Sequence, residues 1–467
     1  MRKQAFCVHG HFYQPPRENP FTGKIPVEPG ATPFNNWNEK ILAQCYRPNA
    51  EDGNFARISF DIGPTLATWM DESAPDVMAA IVSQEREFYA ANGVGNGMAQ
   101  SYNHTILPLA TREDKLTQIL WGIADFEWRF GHKPTGLWAP ETAIDLETLA
   151  VMQECGIEYT ILAPWQANTR SGLDVSKPYW VELPGEKRIA VFFYEDHLSM
   201  RVSFDPESTQ NADRFVHSEL MQLFPDNSRR ERLIILASDG ELYGHHQPLR
   251  NKFLRWLTTG ALKYTDLENM IPSVWLRQFP PEKSIRITNN TSWSCHHGIK
   301  RWNSVCPCAE HGEWKAPLRR AFNRIAAIVD EEMQKALTPY QLDLLEFRNE
   351  YGKVLTHQET AEEQLIRLTG KKEWAEVEKK RMLSFMQAQY ERQRMFTSCG
   401  WFFGDFNRLE AQNNLLYAAR AVDLTERAAG IEFRKAISRY LSRVESRESG
   451  LKASTVFNNA LKNRSTA

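Results

Sequence analysis

The sequence predicts an α/β chain: a (β/α)7-type barrel followed by an all-helical domain. Three observations predict it. Seven apolar runs of strand length recur within the first 240 residues, helical patterns lie between several of them, and beyond about residue 310 few strand candidates remain. Strands alternating with helices imply a parallel sheet, and this many repeats favour a barrel over a short open sheet. An open doubly wound sheet is the alternative. Its nucleotide-binding version is weakened because no GxGxxG follows the first strand.

The expected strands are 5–8, 58–62, 97–100, 136–138, 159–162, 189–194 and 233–237. Between them, 115–130 carries Leu116, Ile119, Leu120, Ile123 and Phe126 at helical spacing, and 146–155 and 212–224 behave alike. Residues 23–54, rich in Pro, Asn and Gly, read as a long excursion suited to covering a site. The expected division is a barrel over 1–275 with a long loop at 12–55, a connecting segment over 276–315 and a helical domain over 316–467. Within the last, helices are expected at 317–337, 340–350, 360–368, 373–394 and 411–425, and the polar end at 446–467 is expected to fray.

Composition narrows the function. A formal charge of −2 argues against a nucleic-acid partner. No run of about 18 apolar residues exists, so no membrane span is expected, and the start lacks the long apolar stretch of a signal peptide. Seven cysteines at irregular spacing do not read as a disulfide framework, and the expected compartment is cytoplasmic.

Two acidic motifs carry the chemistry. Trp138-Ala139-Pro140-Glu141 and Ser238-Asp239-Gly240-Glu241 each follow an apolar strand run, which places a carboxylate at a strand's carboxyl end, where α/β proteins build their sites. Two such acids in aromatic surroundings are the minimum for cleaving a glycosidic bond. Pro140 stiffens the turn before Glu141, although a glutamate at a helix N-terminus is a competing explanation. Asp239, followed by Gly240, can be desolvated and its pKa raised, which suits a general acid; Glu241 is the competing acid. His9 and His11, two apart, share one side of a strand and could bond sugar hydroxyls or a metal, or be satisfied by backbone. His104 in 100–109 reads by itself as a loop histidine, and His245 lies just past the second motif.

Taken together these motifs resemble glycoside hydrolase family 57. His9-Gly10-His11 with Gln14-Pro15 is similar to the family's first motif, with Phe12-Tyr13 inserted. His104 with Leu107-Pro108-Leu109 is similar to the second, and the two acidic motifs to the third and fourth. The resemblance implies a (β/α)7 barrel, Glu141 as nucleophile, Asp239 as acid/base, His11 and His104 as sugar ligands, and an α-glucan or maltooligosaccharide as substrate. The wording around His9 and Trp293 points to a bacterial branch that pairs the barrel with a helical extension. The further substrate-binding candidates are His9, Trp138, Glu241, His245, Trp293, His296, Arg301, Trp401 and Asp405. The segment with Trp401 and Asp405 resembles the family's fifth motif. Cys295, His296, Cys306 and Cys308 form a dense cluster whose spacing fits no familiar zinc motif, so neither a metal nor another cofactor is assigned. Two rivals stand beside this reading. One is a metal-dependent deacetylase or α-mannosidase using His9, His11, Asp61 and Asp239 or His245; the other is a non-catalytic glucan-binding protein.

Overall fold

The computed structural model describes residues 3–169, 172–224 and 230–463. The strands, in chain order, are β1 Gln4–Phe12, β2 Ser59–Ile62, β3 Gly97–Gln100, β4 Leu137–Trp138, β5 Tyr159–Leu162, β6 Ala167–Asn168, β7 Tyr179–Leu183, β8 Lys187–Phe193, β9 Arg232–Asp239, β10 Glu268–Asn269 and β11 Arg286–Ile287. Every run expected as a strand is one. The others are short or solvent-facing and leave little hydrophobic signal: both residues of β10 are exposed.

β10, β1, β2, β3 and β4 lie side by side with β9 also on β1, all of these pairings parallel. β5 and β8 form a second parallel pair, reached from β4 through one bridge between Gly136 and Tyr159, with β7 antiparallel on the outside of β8. The architecture is an α/β barrel sheet with a helical region. Between β4 and β5 the ladder is reduced to that bridge, and among the described residues no strand pairing joins β8 to β9, so the ladder does not close a simple seven-membered ring.

The register explains why the site forms where it does. On β1 and β9 the inward residues pair as Ala5 with Leu233, Cys7 with Ile235, His9 with Ala237 and His11 with Asp239. The lower layers are apolar and pack with Met98, Trp138, Ile161 and Phe192 into one cluster. Moving toward the carboxyl ends the same face turns polar. A period-two pattern therefore puts a dry plug at the bottom of the sheet and titratable groups at its top.

The chain divides into two units that do not follow sequence order. The first contains Met1–Gln14, Val27–Gln100 and Phe126–Trp293; the second contains Pro15–Pro26, Ser101–Asp125 and Ser294–Ala467. The excursion expected at 23–54 is partly helical, with helices Trp37–Ile41 and Arg47–Glu51, the former capped by Asn36 accepting from Glu39 N.

The second unit is built on the helices Lys315–Leu337, Leu344–Glu350, Ala361–Thr369, Glu376–Arg394 and Leu409–Ala429. The helix expected from 340 starts later because Gln341 takes φ 57° and Asp343 supplies the cap, accepting from Leu345 N and Glu346 N. The end expected to fray instead forms the helix Ala453–Asn463, which buries Phe457 and Leu461. Residues 464–467 of that stretch lie outside the described residues. Two buried arginines of this unit are paired: Arg392 with Asp114 and Asp330, and Arg394 with Glu18 and Glu391.

Candidate active site

Asp61, the third residue of β2, organises the centre of the site. It is fully buried. His9 Nε2 lies 3.1 Å from its Oδ1 and His11 Nδ1 2.8 Å from its Oδ2, while Gln100 Nε2 donates to Oδ2. Ser59 Oγ sits 2.9 Å from His9 Nδ1. Burial lowers the His9 pKa in spite of Asp61, so His9 is neutral and donates to the carboxylate through Nε2 while Nδ1 accepts from Ser59. Burial opposes charge on His11 too. There the Asp61 carboxylate prevails, with help from Asp239 and Glu241, and the pKa rises to about 9. Asp61 itself is held below the usual carboxylate range: burial works against it, but His11 and His9 prevail. The result is a His11 cation over a carboxylate at the top of the apolar plug.

Trp138 is wholly buried and stacks on both imidazoles, at 4.5 Å and 21° to His9 and 5.5 Å and 23° to His11. It holds the histidines and has no surface to offer a sugar, which corrects the sequence expectation. Trp293 is partly open. It sets an edge against Trp138 at 5.0 Å and His11 at 6.0 Å, and its Nε1 donates to Glu141 Oε2 at 3.3 Å.

Glu141 sits in the turn Pro140–Thr142 with φ 58° and ψ 21°. A non-glycine residue held in the left-handed region costs of order 1 kcal/mol or more and needs surroundings that enforce it. They are present. Gln166 accepts from Thr142 Oγ1 and donates to Thr142 O, Ile144 N bonds Thr291 O, and Trp293 N bonds Glu141 O. The helix that follows begins only at Leu146, capped by Asp145 accepting from Thr148 N. Glu141 is therefore not a helix N-terminal glutamate, and the competing explanation from sequence falls.

Asp239 ends β9 beside His11. It is accessible to solvent yet crowded by protein, the combination a recess wall produces, and desolvation raises its pKa against the pull of His11 and His246. Gly240 follows because a Cβ there would lie 2.4 Å from the Phe12 ring. Glu241 turns inward and is buried. Its Oε1 accepts from Tyr46 Oη at 2.6 Å and Tyr13 N at 3.1 Å, and burial, with Asp239 adding, lifts its pKa to about 7. Both contacts are to Oε1, so that oxygen of Glu241 holds the loop. His245 is half-buried against the helix Trp37–Ile41, with Nδ1 2.7 Å from Gln44 Oε1 and Trp37 edge-on at 5.9 Å; burial depresses its pKa to about 4.

The first unit thus brings together His9, His11, Trp138, Glu141, Asp239, Glu241 and Trp293. His245 also belongs to this unit, turned to Gln44, and the remaining candidates belong to the second. His104 is buried with Nδ1 2.6 Å from Ser398 Oγ. Trp401 is fully buried, stacked with Trp314 at 6.0 Å under the Arg319 guanidinium, so it is a core residue there and not a sugar platform. Asp405 accepts from Asn407, Arg447 and Glu448 N–H groups and fastens a turn, which corrects its assignment to substrate. Arg301 lies 3.6 Å over the Phe402 ring, and His296 is exposed. Two cavities of the second unit, about 350 and 270 Å³, are lined by none of the candidate site residues.

Sequence reading passed over Tyr46 and Gln100 and named Asp61 only as a rival metal ligand. Asp61 and Gln100 had a usable signal, a polar residue closing an apolar strand run, as at Asp239. Tyr46, in a segment read as loop, had none.

A parallel curled sheet with acids and aromatics at its carboxyl ends is the arrangement in which α/β barrel proteins build their active sites. The family model for glycosyl hydrolase family 57 matches residues 33–288, and the chain belongs to that family. A domain of unknown function, DUF3536, matches residues 311–465. An α-amylase of Pyrococcus abyssi and a 4-α-glucanotransferase of Thermococcus litoralis are each 24% identical over 212 residues, 44% of this chain and 30% of theirs. A second α-amylase, of Pyrococcus horikoshii, is 21% identical over 61% of this chain and 41% of its own. The chain thus spans well under half the length of these curated relatives. Among solved structures, an exo-type maltose-forming amylase of Pyrococcus sp. ST04 superposes with a TM-score of 0.76 at 15% identity, covering 98% of this chain and 88% of that one. A branching enzyme of Pyrococcus horikoshii gives 0.62 at 15% identity, covering 99% and 94%. These likenesses concern the fold. Among the described residues no helix is long and apolar enough to cross a membrane.

Proposed function

We propose that the protein is a retaining glycoside hydrolase or transglycosylase acting on α-1,4-linked glucan by double displacement. The observation that carries this reading is one connected path across the site. Glu141 is bonded to Trp293, Trp293 meets His11 edge-on, and His11 is the register partner of Asp239. Glu141, held rigidly in its strained turn, attacks the anomeric carbon. Asp239, whose raised pKa keeps a proton available, protonates the leaving oxygen. A glycosyl-enzyme ester forms on Glu141. Asp239 then takes a proton from water, or from a sugar hydroxyl in a transfer reaction. His11, as a cation, supports the accumulating negative charge beside Asp239. The α-amylase and 4-α-glucanotransferase names of the relatives support the choice of glucan.

The test is product analysis after incubation with maltoheptaose, amylose and glycogen. Chain shortening or redistribution with retained anomeric configuration is expected, the outcome that a carboxyl separation of about 5–5.5 Å would give. Inverted products would overturn the double displacement. Binding of maltooligosaccharide without turnover on any glucan would make this a binding protein instead.

A further inference from the structure

The loop after Trp293 gathers a second chemical cluster, unrelated to the carboxylates. Cys295, His297, Cys306 and Cys308 each present a ligand atom, and the four atoms lie within 4.8 Å of one another. Cys295 Sγ is 3.4 Å from Cys306 Sγ, His297 Nδ1 is 3.2 Å from Cys308 Sγ, and Cys295 Sγ is 3.9 Å from His297 Nδ1. A tetrahedral zinc with Zn–S near 2.3 Å and Zn–N near 2.0–2.1 Å requires S···S edges of about 3.8 Å and S···N edges of about 3.6 Å. The observed separations scatter around those edges. The Cys295–Cys306 spacing is far beyond the ~2.05 Å of a disulfide.

Local backbone explains how so irregular a spacing closes. Gly298, at φ +77°, turns the chain straight after His297, and Gly298 N bonds Cys295 O at 2.9 Å. A bridge between Cys306 and Ala309 folds Cys308 back beside Cys306. Cys295 and Cys306 are buried while His297 and Cys308 reach the surface, so an ion has both an anchored base and a route in.

A second observation points to an anion at the same place. Lys315 is fully buried, its Nζ donates to Arg301 O at 2.5 Å, and its charge acts on both Cys306 and Cys295. Among the described residues no carboxylate lies within ion-pair distance of it. A zinc ion bound by three thiolates and a neutral imidazole carries a net charge of −1, which supplies the missing counter-charge to a buried ammonium.

We propose that Cys295, His297, Cys306 and Cys308 bind one structural zinc ion that clips the loop 295–308. With four protein ligands and no open position the site is structural, not catalytic. His296, the neighbouring histidine, takes no part.

The experiment uses the full-length protein, untagged and purified without chelators. Elemental analysis should find about one zinc per chain. Protein from which zinc has been stripped, reloaded with cobalt(II), should show the visible bands of a tetrahedral ion and a thiolate-to-cobalt charge-transfer band. Cys306→Ser and His297→Ala should each lower zinc affinity at least tenfold, and His296→Ala should leave it unchanged. Wild-type protein that carries no zinc and gives no thiolate–cobalt band overturns the proposal, as does a Cys295–Cys306 disulfide in the native protein. Loss of zinc on His296→Ala with retention on His297→Ala overturns the ligand set. If Cys306→Ser does not fold, the cobalt spectrum of the wild type and the exposed-site variant Cys308→Ser decide the matter.

Discussion

The residues of the site divide their labour by burial. Asp239 keeps contact with solvent, whereas Glu241, two positions on, is sealed against Tyr46. Asp239→Asn and Glu141→Gln are each expected to lower turnover of maltoheptaose by at least about 100-fold while leaving the thermal midpoint close to wild type; wild-type turnover in either variant refutes its role. Glu241 makes a different prediction. Its folded pKa of about 7 exceeds the ordinary 4.5, so its contribution to stability is complete below about pH 4.5 and is lost as pH rises through 7. At higher pH the buried charge costs roughly 3 kcal/mol. Glu241→Gln keeps an acceptor for Tyr46 and Tyr13 N, and should flatten the fall in stability between pH 5 and 8. Urea unfolding across that range checks it, and an unchanged slope rules the titration out.

At the scale of elements, the turns after the strands matter more than the strands. β4 delivers Glu141 through a short turn and β9 ends on Asp239 directly before another, and the neighbouring chain holds both turns in place. Around Glu141 this is done by Gln166 and the segment 289–293; at Gly240 it is done by the Phe12 ring, which leaves no room for a side chain. Phe12 is itself fully buried against Phe55 and Tyr46 and cannot step aside. Gly240→Ala is therefore expected to destabilise by about 1–3 kcal/mol and to reduce activity by displacing Asp239. Wild-type unfolding and turnover in that variant would show that the turn tolerates a methyl group. The strands were legible in sequence because continuous apolar runs such as Leu233–Leu236 mark burial on both faces. The left-handed Glu141 was not, since a glutamate carries no sequence mark of that conformation.

For the whole molecule, the division into units cuts across the sequence. Residues 15–26 and 101–125 join the C-terminal helices, contributing Glu18 to Arg394 and Asp114 to Arg392 and Arg348. A boundary drawn near residue 276 or 316 misses this, because the pairing of distant charges has no local pattern. A fragment of residues 294–467 would take Glu18 from Arg394 and Asp114 from Arg392 and Arg348, leaving Glu391 and Asp330 to balance three buried guanidinium groups. It is expected not to unfold cooperatively by circular dichroism; a sharp transition at the midpoint of the full chain would show the segment to be self-sufficient.

By itself the sequence determined the alternation of strands and helices, the helical C-terminal third and the two acids at strand ends. Each of those is written in local periodicity or in a polar residue closing an apolar run. Tertiary structure alone decided which neighbours those residues keep. Asp61 gathers both histidines, Trp138 and Trp401 are packed out of reach of a ligand, and His297 rather than His296 turns toward the three cysteines. Such choices depend on register, on turn geometry and on contacts between residues far apart in the chain, and a local pattern carries no record of them.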